Sequence, residues 1–192
     1  MAPAMRLYMG LIHYPVYNKN HETIASAITT FDLHDLSRVA RTYGMKGFYV
    51  VTPLEDQQKL AGRILEHWIA GYGARYNPTR KEALEGVSVT ATLEEAVREI
   101  TRKEGERPLL IATDARARRE ECLSYPKARE LLMASRPALL LFGTAWGLKR
   151  EVLEGANYIL EPVEGGTDYN HLSVRTAAAI IVDRLAGGDY ER

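Results

Sequence analysis

The chain has 192 residues, 46% hydrophobic and 26% charged, which is enough to fold as a single domain spanning residues 1–192. Its 25 basic and 25 acidic side chains cancel, so binding to nucleic acid through overall charge is excluded and any polyanion needs a local basic patch. The single cysteine, Cys122, excludes an internal disulfide framework, and no apolar run is long enough to cross a membrane. These totals predict a soluble, cytoplasmic protein with no membrane partner.

Apolar runs and helical periodicity alternate along the chain. Continuous apolar runs predict strands at residues 6–13, 47–51, 87–90, 108–112, 137–142 and 158–160. Apolar side chains at helical spacing predict helices at residues 32–44, 52–71, 92–105, 126–135 and 172–185. Short strands that alternate with helices are typical of a parallel sheet covered on both faces, so the predicted fold is one α/β domain.

Three predicted helices have recognisable first turns. Asp32 is the predicted N-cap of the first helix. Thr52 is the predicted N-cap of the second, with Pro53 at the first helical position. Thr92 and Glu95 form a capping box at the start of the third.

Three segments are placed to bind a ligand, because ligands of open parallel sheets bind beyond the carboxyl ends of the strands. One is the loop 142–148 (FGTAWGL), which follows the most hydrophobic strand. Another is 160–173, which contains the Gly165-Gly166 turn and leads into an alanine-rich helix. The remaining one is the helix 32–44 with the loop before it. Glycine turns let the backbone approach a ligand, and a helix start offers unpaired N–H groups.

Several common site types are absent from the sequence. There is no GxGxxG after the first strand and no GxxxxGK[ST] segment, which weighs against dinucleotide-binding and P-loop proteins. The five His residues and one Cys show no metal-ligand spacing, so no metal is expected. No Gly-x-Ser-x-Gly elbow appears, which weighs against an α/β-hydrolase.

The three ligand segments resemble the motifs of the SPOUT methyltransferases, in the same order. Pro162-x-x-Gly165, followed by Ser173-Val174 and a small-residue helix, resembles the last SPOUT motif. The FGTAWGL loop after its strand resembles the second.

The first SPOUT motif is matched by the predicted helix after residue 31. In that motif a polar residue precedes an arginine by six positions and a glycine follows six later, as Asp32, Arg38 and Gly44 do here. The segments HYPVYN, FDLHDLSR and TDYNHLSVR are similar to those of a bacterial group of RNA methyltransferases in this superfamily.

The resemblance implies a three-layer sandwich around a parallel sheet, with a deep trefoil knot near the C-terminus. It also implies S-adenosylmethionine bound in the knot, an RNA substrate (tRNA or rRNA), and a homodimer in which both subunits shape the active site. The implied cofactor-binding residues are Phe142, Gly143, Thr144, Trp146, Gly147, Leu160, Pro162, Asn170, Leu172 and Ser173.

Three residues are candidates for catalysis. Through its motif, Arg38 is a candidate to hold the phosphate of the target nucleotide or to stabilise charge as the methyl group moves, and a solvated surface arginine is the alternative. Methyl transfer to a ring nitrogen or a hydroxyl needs a proton acceptor, and Asp168 or His171 could supply it. A turn role for Asp168 and a capping role for His171 remain open.

The implied cofactor residues also have ordinary structural interpretations. Gly143 and Gly147 could be simple turn and cap glycines. Leu160, Pro162 and Leu172 could be core residues, which is compatible with an apolar adenine pocket. Two basic clusters are candidate RNA contacts, although charged runs are usually solvated faces: Arg75, Arg80 and Lys81, and Arg116, Arg118 and Arg119.

The sequence therefore favours an S-adenosylmethionine-dependent RNA methyltransferase that transfers a methyl group to a nucleotide nitrogen or a ribose oxygen. The alternative is a non-catalytic module of the same fold that binds RNA or a protein partner. A nucleotide-binding α/β protein of another chemistry is a third class, and it lacks a phosphate loop.

Overall fold

The computed structural model describes residues 5–117, 119–134 and 136–188. Its strands are β1 (Leu7–Ile12), β2 (Val16–Tyr17), β3 (Thr23–Ile24), β4 (Gly47–Val51), β5 (Val87–Thr90), β6 (Leu109–Thr113), β7 (Ala138–Gly143) and β8 (Tyr158–Leu160). Six of them form one sheet in the order β5-β4-β1-β7-β6-β8, in which every neighbouring pair is parallel, while β2 and β3 form a small antiparallel hairpin. The predicted parallel sheet is thereby confirmed.

Helices cover both faces of the sheet. They are α1 (Thr30–Thr42), α2 (Glu55–Ile69), α3 (Tyr72–Tyr76), α4 (Pro78–Leu84), α5 (Leu93–Glu104), α6 (Tyr125–Met133), α7 (Arg150–Glu154) and α8 (Val174–Ala186), with a 3₁₀ turn at Arg119–Glu121. Helices α1, α2, α6 and α8 contribute to the core on one face, and α5 and α7 pack against the core on the other. The architecture is therefore a three-layer α/β sandwich.

The centre of the sheet is fully buried because both of its faces are covered. Every residue of β1 is buried, and β7 beside it carries the run Leu139, Leu140 and Leu141 with no exposed surface. Alternate side chains of such a strand enter opposite cores, which is why its sequence is apolar without a break.

Two predicted helix starts are wrong. The N-cap of α1 is Thr29 rather than Asp32, because the Thr29 hydroxyl accepts the Asp32 N–H at 3.1 Å and the helix begins three residues earlier than the sequence indicated. The N-cap of α2 is Leu54 rather than Thr52. Thr52 is buried and prolongs the sheet, since its N–H donates to the Thr90 carbonyl at 3.0 Å.

Other helix boundaries follow the sequence more closely. The Thr92 hydroxyl caps α5 by accepting the Glu95 N–H at 3.1 Å, as predicted, and Gly105 ends that helix with φ 80°. The Ser173 hydroxyl caps α8. No helix in the described ranges is long and apolar enough to cross a membrane.

The parallel arrangement brings four loops to one edge of the sheet. Because β1, β7, β6 and β8 are neighbours and run in the same direction, the segments that follow them all leave the sheet on the same side. These segments are residues 13–29, 144–149, 114–124 and 161–173. The ligand segments predicted from the sequence are thus placed next to one another.

Candidate active site

A cleft of about 520 Å³ lies between these loops and the beginnings of α1 and α8. This volume is within the usual range for a small-molecule site. The loop after Gly143 forms one part of the lining, and Ser26, Thr29 and Asp32 form another. Residues at the start of α8 and the loop after β6 complete it.

The loop 143–148 leaves no room for side chains at its first position. A β-carbon on Gly143 would lie 2.6 Å from the backbone nitrogen of Leu148 and 3.0 Å from the carbonyl carbon of Gly147. Gly147 has φ 99°, which other residues rarely adopt. Ala145 has φ 51° and is an uncommon case of a non-glycine residue in the left-handed region. These conformations fold the backbone tightly at the edge of the cleft.

The same loop is fixed to the segment after β1. The Tyr17 N–H donates to the Gly147 carbonyl at 3.0 Å, and the Trp146 N–H donates to the Tyr17 carbonyl at 2.9 Å. The Thr144 hydroxyl is 2.5 Å from the Ser26 hydroxyl and 3.1 Å from the Ile12 carbonyl oxygen. The cleft wall is therefore held in place by β2 and by a polar contact that continues into the sheet.

His13 is the last member of this series of hydrogen-bonded side chains, and it is fully buried. Its Nδ1 lies 2.9 Å from the Ser26 hydroxyl, and its Nε2 has no hydrogen-bond partner in the described residues. Burial lowers the pKa of His13 to about 4, although the charge of Asp32 acts in the opposite direction. The imidazole is consequently neutral in the folded protein near neutral pH.

A depressed histidine pKa makes the fold sensitive to acid. The folded state disfavours the protonated imidazole, so this contribution is complete above the unfolded pKa of about 6.5 and is lost as the pH falls toward about 4. Between about pH 7.5 and about pH 5, we expect His13 to lower the free energy of unfolding by about 2 kcal/mol.

Urea unfolding of the wild type and of His13→Asn at both pH values measures the contribution of His13 to the free energy of unfolding. Asn keeps a polar atom for Ser26 but does not titrate, so the variant should lose less stability on acidification even if it is weaker at neutral pH. Equal losses in the two proteins would contradict the assignment to His13.

An ion pair between α1 and α8 contributes to the lining of the cleft. The Asp32 side chain is only 7% exposed, and its Oδ1 accepts from Arg175 Nη1 at 2.6 Å. Its Oδ2 accepts from the Thr29 hydroxyl at 2.6 Å. Arg175 also approaches Asp35 with an Nε–Oδ2 distance of 3.4 Å, but Asp35 is half exposed and does not line the cleft. A carboxylate with two fixed donors still has lone pairs that can accept from a ligand.

Most of the predicted site residues come together at this cleft. Those that line it are Phe142, Gly143, Thr144, Trp146, Gly147, Asn170, His171, Leu172 and Ser173. Leu160 and Pro162 line a smaller, mainly apolar recess, which shares Thr113, Asn170 and Leu172 with the cleft. Asn170 Nδ2 donates to the Ala115 carbonyl at 3.2 Å, which joins the loop after β8 to the loop after β6.

Other predicted residues lie elsewhere. Asp168 is exposed and does not line the cleft. Arg38 is exposed and borders a separate surface depression with Arg41 and Arg80. Arg118 lies outside the described residues, as does the side chain of Arg119. No group of three or more His, Cys, Asp or Glu side chains within the described ranges is placed to bind a metal ion.

Some residues that line the cleft were not predicted from the sequence as parts of a binding site. From the sequence, Asp32 is a predicted helix cap and the polar residue of the first motif, and Arg175 has no predicted role. Asp114 and Arg116 in the loop after β6 also line the cleft. The only sequence signal for Arg175 is its position directly after Ser173-Val174, at the start of a helix that must face the cleft.

The cleft fits the cofactor that the resemblance implies. S-adenosylmethionine has an adenine ring with apolar faces and polar edges, a cationic sulfonium and an amino-acid end with both charges. The apolar recess at Leu160 suits a ring, and the close backbone at Gly143 admits a ligand edge without side-chain interference. Asp114 and Arg116 supply one group of each charge.

Comparison with known proteins identifies the family of the chain. A family model for SAM-dependent RNA methyltransferases matches residues 6–187. A tRNA (guanine-N(1)-)-methyltransferase of Oleidesulfovibrio alaskensis is 46% identical over 185 residues, which is 96% of this chain and 43% of that protein. The chain thus spans less than half the length of this curated relative.

Solved structures share the fold. The probable methyltransferase of Bordetella pertussis Tohama I has a TM-score of 0.65 and 18% identity, covering 97% of this chain and 98% of that one. The TrmH/SpoU tRNA modifying enzyme of Aquifex aeolicus has a TM-score of 0.56 and 15% identity, covering 95% and 74%. These structures show a shared fold, and the family model shows that the chain belongs to a family of S-adenosylmethionine-dependent RNA methyltransferases.

Proposed function

We propose that this protein transfers a methyl group from S-adenosylmethionine to a nitrogen or oxygen of a tRNA nucleotide. The observation that carries the proposal is the cleft itself, whose lining combines a tightly folded glycine loop with a buried carboxylate held by Arg175. When bound, S-adenosylmethionine supplies an electrophilic methyl group. The protein has to orient the acceptor and assist the loss of its proton.

tRNA is the proposed substrate because the curated relative is described as a tRNA methyltransferase. That description belongs to a protein more than twice as long as the matched segment, so the modified position needs its own test. Guanine N1 is the first candidate. An ionised Asp32 carboxylate can only accept hydrogen bonds, so it suits a guanine edge, which carries N–H groups, better than a base edge that carries acceptors alone.

Roles can be proposed for individual side chains. Asp32 accepts a hydrogen bond from the group that receives the methyl, and Arg175 with Thr29 fixes the carboxylate in that position. His171 lines the cleft and is a second candidate proton acceptor. Asp168 is a weaker candidate because of its distance from the cleft lining, and Arg38 is placed better for a phosphate than for the reacting atoms.

The cofactor is proposed to bind through the residues already placed in the cleft and recess. The loop from Gly143 to Gly147 would contact its edge through backbone atoms. Leu160, Pro162 and Leu172 would cover the adenine ring. Backbone hydrogen bonds join β8 to the loop after β6, and the Asn170 side chain donates to Ala115 in the same loop. These contacts support the proposal of a trefoil knot, in which residues 161–173 pass the loop after β6.

A homodimer is also part of the proposal. Large apolar side chains are exposed around the cleft, including Phe31 at 70%, Trp146 at 51% and Leu172 at 42%. A second subunit would cover such side chains and add residues to the acceptor side. We also propose that residues 1–192 form one domain and that the protein acts on tRNA in the cytoplasm.

Labelled methyl transfer into tRNA from a strain that lacks this gene tests the proposal. We expect label in tRNA from the deletion strain and little in tRNA from the parent strain, whose sites are already modified. Nucleoside analysis of the labelled tRNA then identifies the position. Binding of S-adenosylmethionine without transfer into any RNA would favour the non-catalytic module instead.

A further inference from the structure

Helix α3 displays two tyrosines to solvent. Tyr72 and Tyr76 are each 73% exposed, and their rings stack with centroids 6.1 Å apart and an interplanar angle of 21°. Their spacing places them on the same side of the helix, with Arg75 next to Tyr72. Two aromatic rings stacked at the surface form a platform on which another flat ring can stack.

The opposite side of α3 is packed too closely to let the tyrosines turn inward. Gly73 is buried, and a β-carbon there would lie 2.6 Å from the Trp68 ring. A β-carbon on Gly71 would lie 2.8 Å from the His67 carbonyl oxygen. These two glycines bring α3 directly against the end of α2, so the tyrosine side is held outward.

An arginine-lined depression adjoins the tyrosines. It has a volume of about 320 Å³ and is bordered by Arg38, Arg41 and Arg80. Asn77, which follows Tyr76 in the chain, also lines it. Arg41 pairs with Glu82, and the Arg80 guanidinium lies 4.6 Å from the centre of the Trp68 ring.

Three cations here lack an acidic partner. Within the described part of the chain, Arg38, Arg75 and Arg80 form no ion pair. The whole protein has no net charge, so this local excess of positive charge is a feature of one face. Stacking platforms beside unpaired arginines are the combination that binds single-stranded nucleic acid.

Helix α1 connects this face to the cleft. Thr29 and Asp32 line the cleft at the start of the helix, and Arg38 lies about 9 Å farther along its axis at 1.5 Å per residue. A strand of RNA whose target nucleotide enters the cleft therefore passes close to the depression with its neighbouring nucleotides.

We propose that Arg38, Tyr72, Arg75, Tyr76 and Arg80, which we call the aromatic–basic surface, bind single-stranded RNA next to the target nucleotide. Bases stack on the two tyrosines, and phosphates contact Arg38 and Arg80. The proposal rests on the proposed function and adds the place where the substrate is held. A second copy of the chain fits less well, because it would bring a second excess of positive charge to the same interface.

The test compares matched variants in binding to a short fluorescent oligouridine and in methyl transfer to tRNA. Tyr72→Ala/Tyr76→Ala removes the stacking platform, and Tyr72→Phe/Tyr76→Phe keeps it. Arg75→Glu reverses a charge on this surface. Arg98→Glu reverses one on α5, across the sheet, where the Arg98 side chain is 67% exposed.

We expect the double alanine variant to bind oligouridine on the order of tenfold more weakly and to raise KM for tRNA with kcat nearly unchanged. The double phenylalanine variant should bind like the wild type. Arg75→Glu should weaken binding and reduce its salt dependence, while Arg98→Glu should change neither.

Wild-type affinity in the double alanine variant, with an active wild type, would overturn the surface but not the function. A dimer that becomes a monomer in that variant on sedimentation would assign the surface to a second copy and also overturn the proposal. A wild type that neither binds RNA nor transfers methyl groups would overturn both the surface and the function.

Discussion

Replacing Asp32 by Asn is expected to lower the rate of methyl transfer by a factor of about 10² to 10⁴, the usual range for a lost proton acceptor. The carboxylate accepts at 2.6 Å from both Arg175 and Thr29. An amide can accept through only one atom and presents N–H groups where one of these donors now points. The group that faces the acceptor would lose both its charge and its orientation.

The affinity of Asp32→Asn for S-adenosylmethionine shows whether Asp32 acts on the methyl-accepting group or only maintains the structure of the site. Calorimetry should give a dissociation constant within about threefold of the wild type, because the Asp32 carboxylate is bonded to Arg175 and Thr29 and to no residue of the glycine loop. Some loss of thermal stability is expected as well, since Arg175 loses its charged partner at 2.6 Å and keeps an ion pair only with Asp35, at 3.4 Å.

Asp35→Asn is the matched control. Asp35 shares the same arginine, but its side chain is 48% exposed and lies outside the cleft lining. Its contact with Arg175 is longer, at 3.4 Å, and is screened by solvent. We expect its turnover within about threefold of the wild type. Similar large losses in both variants would mean that the ion-pair cluster stabilises α1 against α8 and that Asp32 has no separate role.

The sheet could be predicted from the sequence because its strands are buried on both faces. A strand such as β7, with Leu139 to Leu141 fully buried, has no polar face and reads as a continuous apolar run. The end of α5 was also predictable, because Gly105 takes a left-handed conformation that glycine favours.

The two short helices α3 and α4 could not be predicted from the sequence. Helices α3 and α4 lie between the predicted helix at 52–71 and the predicted strand at 87–90, where the sequence predicted no further element. Helix α3 is too short to show a helical period, and Gly71 and Gly73 in its vicinity are usually helix breakers. Here they serve close packing on Trp68 and His67, a requirement that appears only when α2 is in place.

The candidate site was predictable where a motif coincided with a loop after a strand, as at Gly143 and Gly147. The Asp32–Arg175 pair was not, since its members are far apart in sequence and meet only because α1 and α8 pack side by side. Arg38 shows the reverse case. Its spacing from Asp32 matches the motif, but six helical residues turn it toward α4 and away from the cleft.

Replacing Gly143 by Ala is expected to weaken S-adenosylmethionine binding by at least about tenfold and to destabilise the fold by about 1–3 kcal/mol. The added β-carbon would lie 2.6 Å from the Leu148 nitrogen, and this neighbour is backbone that cannot rotate away. Leu148 is 1% exposed and bridges to Val16, so a shift would disturb β2 and the wall of the cleft together.

Gly62→Ala is the appropriate comparison, because it makes the same chemical change where space is open. Gly62 lies within α2, and a β-carbon there meets nothing within 4 Å. Alanine should raise the free energy of unfolding by about 0.5–1 kcal/mol at this helical position. Urea unfolding and calorimetry on both variants give the contrast. If Gly143→Ala unfolded at the wild-type urea concentration and bound the cofactor equally well, the loop would have to tolerate side chains, and close backbone approach could not be what forms this wall of the cleft.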